Sequence, residues 1–390
     1  MNTNFDVIVS GAGIAGLLIA SELSIHKKIL IIDSKEDLQT TKYWVTLKSC
    51  IDNNKDFQHL VDSYYTHMDF IDAYQNSFRL NGEYVLWNTV ELMNFLKRKI
   101  LKNNGEVKFG QRFYGYKTKN DSIEIFANGY CYTAKVLIDC MGYNSPLILA
   151  KNMIDIKGYY LLYGARLKLK ENIHPICLSN VILDRKPKYF ELFPKSNEEA
   201  FATIIYPTYK LTDSKGLAGD FKFITSKSHY SKYFEENQIL SRLWGIVPVG
   251  NIQRKALDRI FFFGESAQSN PAASGTCLTR ILLNYKKVSV FLNEQIESDN
   301  LTEKSLSNSP EVLNPFIRRL QLYAFKDILT WNSDLFSKFI RIINHVDHEI
   351  INRFLFGELT SDDVFTRTRI LSLFNRKNLF LAKALIQSLR

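Results

Sequence analysis

The sequence predicts a mixed α/β (α+β) fold of three parts: a parallel-sheet unit, a β-sheet domain beside it and a helical C-terminal region. Three observations carry this. An apolar strand near the start runs directly into a glycine-rich turn and a helix. The middle, residues 158–223, is strand-rich. Beyond a polar stretch at 297–310, which reads as a linker, the pattern is helical to the end. At 390 residues, two or three interlocked domains are expected. A content of 46% hydrophobic and 13% aromatic residues supplies sizeable cores and excludes disordered or collagen-like scaffolds. No run of about 18 apolar residues marks a spanning helix. No basic leader precedes the first apolar stretch, so a cytoplasmic protein is expected. The five cysteines are odd in number and form no C-x-x-C pair, which argues against a disulfide framework or zinc knuckle and fits a reducing compartment.

Taken in order, Asp6-Val-Ile-Val-Ser reads as a buried strand, followed by Gly11-Ala12-Gly13-Ile14-Ala15-Gly16 and the helical run from Leu17 to Leu23. In this strand, G-x-G-x-x-G, helix order, Gly11 makes the tight turn, Gly13 lets backbone approach a pyrophosphate, and Gly16 lets the helix pack close to the sheet. The helix N-terminus offers unpaired N–H groups and a positive dipole end to phosphates. A second strand from Lys28 ends at Asp33, 22 positions after Gly11, where a carboxylate can accept a ribose hydroxyl. A glycine-rich turn alone is a weak signal, but the full order points to a Rossmann-like dinucleotide site. Both FAD and NAD fit it, and the extreme N-terminal position favours FAD.

Further along, a helix is predicted over 87–101 from the spacing of Val90, Phe95, Leu96 and Ile100. Strands are predicted at 106–110, 113–116, 122–127 and 130–135. Residues 136–139 form an apolar strand ending in Asp139-x-x-Gly142, a second turn toward the nucleotide. Strands at 159–169, 189–193 and 200–206 suggest a substrate platform. A strand at 259–263 then runs into a loop carrying Gly264, Glu265, Pro271, Gly275 and Thr276, and a helix continues over 281–292.

Together, the G-x-G-x-x-G with Asp33, Asp139-x-x-Gly142, and Gly264-Glu265 with Pro271 and Gly275 resemble the FAD-binding pattern of hydroxylase-type (group A) flavoproteins. Within that group the chain looks most like the lycopene cyclases. Asp139-Cys-Met-Gly-Tyr and Gly158-Tyr-Tyr-Leu-Leu-Tyr-Gly164 resemble that family's D-x-x-G-Y and G-Y-x-x-x-Y-G. Residues 245–250 and 270–280 resemble its P-x-G and H-P-x-T-G-Y-x-x-x-R loops, and residues 353–362 with Leu371 and Lys383 resemble its C-terminal helix pair. The resemblance implies FAD held by Gly11, Ala12, Gly13, Ile14, Ala15, Gly16, Asp33, Asp139, Gly142, Gly264, Glu265, Pro271, Gly275 and Thr276. It also implies a discontinuous FAD-binding domain (1–155 and 245–298), a substrate-binding sheet domain (156–244) and a helical region (309–390). Three positions depart from the pattern. Glu265 stands where Asp is common, Thr89 where Arg is common, and Ile204-Ile-Tyr206-Pro-Thr208 where a glutamate-rich motif protonates the polyene. Neither Tyr206 nor Pro207 supplies a carboxylic proton, so lycopene is not expected to be cyclised.

The expected function is an FAD-dependent oxidoreductase, of monooxygenase or oxidase type, acting on an apolar, conjugated or aromatic small molecule in a biosynthetic pathway, with NADPH or NADH as candidate reductant. The alternatives are a lycopene-cyclase-like non-redox cyclase using reduced FAD, and a flavoprotein-like scaffold without catalysis. Candidate catalytic residues are Glu191, Glu265 and Tyr206. Cys277 lies in the cofactor loop and reads as a small packing side chain. His345 and His348 share a helix side but show no third ligand, so no metal is expected. No nucleic-acid module is present. Of the net charge of +10, six Lys/Arg without an acid fall in residues 366–390, beside an apolar stripe of Leu379, Ala382, Leu385, Ile386 and Leu389. That stripe either packs on the body as a closing helix or attaches peripherally to an anionic membrane.

Overall fold

The first strand, β1 (Asn4–Ser10), is apolar at successive positions because both its faces are covered. Val7 and Val9 face a helical layer, and Phe5 and Ile8 face a second apolar layer of strands. The computed structural model describes residues 4–360 except 39, 73, 75, 151–152, 171–187, 212–214, 311–313, 331, 333 and 338–346. In chain order come α1 (Ile14–Leu23), β2 (Ile29–Ile32), β3 (Val45–Leu47), α2 (Ser49–Asp52), β4 (Val61–Ile71), β5 (Ser77–Trp87) and α3 (Thr89–Lys102). Next are β6 (Glu106–Lys108), β7 (Phe113–Thr118), β8 (Ile123–Ala127), β9 (Tyr130–Asp139), α4 (Pro146–Ala150), β10 (Ile154–Leu169), β11 (Tyr189–Pro194) and β12 (Glu199–Thr208). The described chain closes with α5 (Lys215–Lys227), β13 (Phe234–Ile252), β14 (Ala256–Leu257), β15 (Ile260–Phe262), α6 (Leu278–Glu297), α7 (Glu303–Leu306), α8 (Pro315–Ile328) and α9 (His348–Leu355).

The main sheet has the order β14-β15-β9-β1-β2-β6, with β7 and β8 continuing from β9. β1, β2, β6, β9 and β15 are mutually parallel where they pair. The chain leaves β1 through α1 to β2 on one side, and β9 returns on the other, so the crevice at the carboxyl ends of β1, β2 and β9 is a topological switch point. α1, α3 and α6 bury their apolar stripes on one face. An antiparallel sheet of order β11-β12-β10-β13 lies beside this unit, backed by α5. A three-stranded sheet, β3-β5-β4, abuts its β11 edge, where Tyr65 Oη donates to the Pro194 carbonyl at 2.6 Å.

Several expectations change in detail. The helix predicted over 87–101 starts at Thr89, capped by Asn88. Its buried positions are Leu92, Met93, Leu96 and Ile100, while Val90 is exposed. The segments 130–135 and 136–139 are one strand, β9. The strand-rich middle also contains a helix, α5. β13 runs through position 244/245, pairing with β10 along its length. Residues 297–310 are not a linker. Leu301 and Leu306 are buried, Thr302 caps α7, Arg254 pairs with Glu303, and Arg259 pairs with Asp299 at 3.0 Å. Among the described residues no helix is long and apolar enough to cross a membrane.

Candidate cofactor and substrate site

One cavity of about 1350 Å³ starts at the carboxyl ends of the parallel strands and extends over the antiparallel sheet. A single small-molecule site typically occupies about 300–1,000 Å³, so two molecules can share this one.

The parallel-sheet half is built from the fingerprint. Gly11 has φ +109°, and a Cβ there would meet the Cys140 carbonyl oxygen at 2.5 Å, so only glycine makes this turn. A Cβ on Gly16 would overlap the Gly11 carbonyl oxygen, which is how closely α1 packs on the loop. Gly13 differs, because nothing lies within 4 Å of a Cβ built there. It heads α1 with no side-chain cap and no acid in the first turn, leaving the helix N-terminus directed at open space. Asp33, immediately after β2, accepts from the Ala12 amide at 2.6 Å and the Lys35 amide at 2.8 Å, fixing its carboxylate against the loop.

Asp139 works from behind the wall. It is fully buried, accepts from the Met141 amide at 2.9 Å, the Ser266 hydroxyl at 3.0 Å and the Ser145 hydroxyl, and burial pushes it up to about 6. Ser266 Oγ in turn accepts from the Gly142 amide at 2.9 Å, so one carboxyl ties the loop after β9 to the turn after β15. Glu265 comes from that turn and lies against Gly142.

The loop carrying Pro271, Gly275 and Thr276 divides the two halves. Tyr160 of β10 packs on Gly275, and its hydroxyl lies 2.9 Å from the carbonyl oxygens of Ala272 and Ala273. From the other side, Arg318 of α8 donates to the Asn270 carbonyl at 2.6 Å and to the Gly250 carbonyl, Gln321 accepts from the Ala272 amide at 3.2 Å, and Ser274 donates to the Leu355 carbonyl. Arg318 is buried, and the loss of hydration, with Arg280 nearby, pushes it down to about 10.

The antiparallel half is mainly apolar: Leu162, Phe193 and Ile205 from the sheet, Met68 and Phe70 from β4, and Leu320, Ile328, Ile351 and Phe356 from the C-terminal helices and the residue that follows. One carboxyl enters it. Glu191 of β11 lies on the cavity face with Tyr189 and Phe193, and burial pushes it up to about 7. Glu191 is partly buried and lines the cavity.

Of the expected site residues, Gly11, Gly13, Ile14, Ala15, Asp33, Gly142, Glu265, Gly275, Thr276 and Glu191 line the cavity. Ala12, Gly16, Asp139, Gly264 and Pro271 stand behind its wall and shape it. Tyr206 does not reach it. Strand alternation turns Tyr206 toward α5, where Lys188 lies over its ring, and Ile205 takes the cavity face. Thr89 is buried beside the Trp87 carbonyl, away from the cavity. His345 and Cys177 fall outside the described residues. The His348 ring Nδ1 accepts from the Asn81 amide at 3.0 Å, and the described residues contain no cluster suited to a metal. Lys42, Tyr43 and Arg112 also line the cavity, unforeseen. Arg112 had a signal, since it follows the end of β6, another parallel strand opening on the crevice. The loop bearing Lys42 and Tyr43 had none.

No family model and no curated protein matches the sequence. Solved structures do match the whole chain. A geranylgeranyl bacteriochlorophyll reductase-like protein from Thermoplasma acidophilum has a TM-score of 0.75 at 16% identity, with 100% of both chains covered. The halogenase PltM in complex with FAD gives 0.68 at 14% identity, covering 99% of this chain and 95% of the other. The p-nitrophenol 4-monooxygenase PnpA from Pseudomonas putida gives 0.64 at 13%, covering 97% and 99%. The chain has the Rossmann-type flavoprotein fold. In that fold the crevice described above lies where the carboxyl ends of the parallel strands meet the second sheet.

Proposed function

We propose that the protein is an FAD-dependent oxidoreductase of monooxygenase or oxidase type acting on an apolar, conjugated or aromatic small molecule. The observation that carries this is the continuity of one cavity from the fingerprint loop to an apolar chamber. The residues present fit the cofactor. Gly13 and the α1 N-terminus leave an open cradle for a diphosphate, Asp33 stands at the ribose position, Lys35 and Arg112 add positive charge nearby, and Lys42 adds it elsewhere on the cavity wall. FAD supplies, when bound, the electron-transfer chemistry that these side chains lack. The chain's own part is to hold, orient and dry. Gly275 and Thr276 line the cavity, Gly275 against Tyr160 of β10, Arg318 and Gln321 keep that loop in place, and the C-terminal helices cover the substrate chamber with apolar surface. A visible spectrum of the purified protein, followed by anaerobic titration with NADPH and NADH, tests the reading. A colourless protein with no thermal shift on adding FAD rejects it.

One observation favours a second reading, an acid-promoted non-redox cyclisation. The carboxyl missing at Tyr206-Pro207 is supplied to the chamber by Glu191. Incubation with lycopene and reduced FAD tests it, and ring formation without consumption of reductant supports it.

A further inference from the structure

Glu191 has little to satisfy it. Among the described residues its one hydrogen-bond partner is the Tyr43 hydroxyl at 3.4 Å, and that hydroxyl lies closer, at 3.0 Å, to Thr203 Oγ1. Among the described residues no cation is paired with it. The Tyr43 ring is stacked on Phe201 at 4.8 Å and tilted against Phe193 at 5.5 Å. Glu191 is thus a polar group deep in an apolar chamber with hydrogen-bonding capacity facing the space a ligand would occupy. Such a group raises the affinity of a ligand that satisfies it and rejects an isostere that cannot.

Resting on the oxidoreductase reading, we propose that the substrate is an apolar molecule bearing one uncharged oxygen acceptor, a carbonyl or hydroxyl, which docks on the protonated Glu191 carboxyl. The rest of the molecule then lies along the Leu162 and Ile205 face, toward Gly275. A carboxylic O–H donates to such an oxygen. The carboxylate cannot, so the interaction weakens as Glu191 loses its proton. Among the described residues, the other titratable groups on this part of the wall are Tyr43 and Tyr189 near Glu191, Lys42 beside Tyr43 in the chain, Tyr160 on β10, and Asp327 on α8, which burial pushes up to about 6.

The test uses matched probes on the purified holoprotein: 2-acetylnaphthalene, its hydrocarbon analogue 2-ethylnaphthalene, and the amine 2-(aminomethyl)naphthalene, followed by fluorescence titration between pH 6 and 8.5. The ketone should bind about 10-fold tighter than the hydrocarbon at pH 6 and lose most of that advantage by pH 8.5. Glu191→Gln, which keeps an N–H donor, should retain the preference without the pH dependence. Glu191→Leu should abolish the preference, and Asp327→Asn should leave the wild-type pH profile in place. Equal affinity for ketone and hydrocarbon at pH 6, tighter binding of the amine at pH 8.5, no binding of any probe, or a preference that survives in Glu191→Leu overturns the proposal. Flavin absorbance is read on the same samples, so absence of flavin rejects the oxidoreductase reading separately from loss of probe selectivity.

Discussion

Two glycines three positions apart answer to different demands, and substitution separates them. Gly13 has φ −72° and open space where a Cβ would go, so Gly13→Val is compatible with the fold while filling the phosphate cradle. We expect a folded protein with an unchanged circular dichroism spectrum and no retained flavin. At Gly16 the added Cβ runs into the Gly11 carbonyl, so Gly16→Ala should destabilise the protein by about 3 kcal/mol, read by urea unfolding. Glu191 makes a prediction of another kind. Burial raises its folded-state pKa from 4.5 to about 7, so the folded chain holds that proton to higher pH than the unfolded chain. Its contribution to stability is full below about pH 4.5 and is lost as pH rises through about 7. Glu191→Gln should therefore match wild type near pH 4.5 and exceed it at pH 8.5 by on the order of 1–3 kcal/mol, measured by thermal unfolding.

Among the elements, α8 is the one whose removal would reach the cofactor side without touching it. Arg318 satisfies carbonyls on Gly250 and Asn270 from a buried position and, among the described residues, has no carboxylate partner. Arg318→Met removes that donor from both carbonyls, at a cost of about 1–3 kcal/mol. Hydrogen exchange should quicken at residues 268–276 more than in β1, and equal exchange in both would reject the clamp. The sequence was legible where chemistry restricts the residue: the fingerprint loop, the strand ends at Asp33 and Asp139, and the loop after β15 could all be read. β4 could not, because register shifts between Val61 and Ser63 and between Tyr65 and His67 interrupt its pattern, whereas β5 was missed although Ser77-Phe78-Arg79-Leu80 alternates. Tyr206 was misplaced for a related reason. β12 is buried on both faces, so nothing in its composition says whether odd or even positions meet the cavity.

At the scale of the whole molecule, the charge distribution is open to measurement. If the six basic residues of 366–390, beside the apolar stripe over 378–389 and outside the described residues, meet headgroups, the protein should co-sediment with anionic vesicles at low salt and be released at high salt. Binding indifferent to both charge and salt, or none, rejects that expectation. The order of assembly is set by the central strands. β1 pairs with β9, which begins at Tyr130, and β9 pairs with β15, which begins at Ile260, while Thr276 and Ile281 are needed to close the cofactor wall. At roughly 5–20 residues per second, a ribosome takes on the order of 15–60 s to reach that point. Throughout that interval the glycine loop made first has no finished pocket to serve. A flavin bound as proposed would thus be captured only after most of the chain has been synthesised, making its supply a late checkpoint on newly made protein.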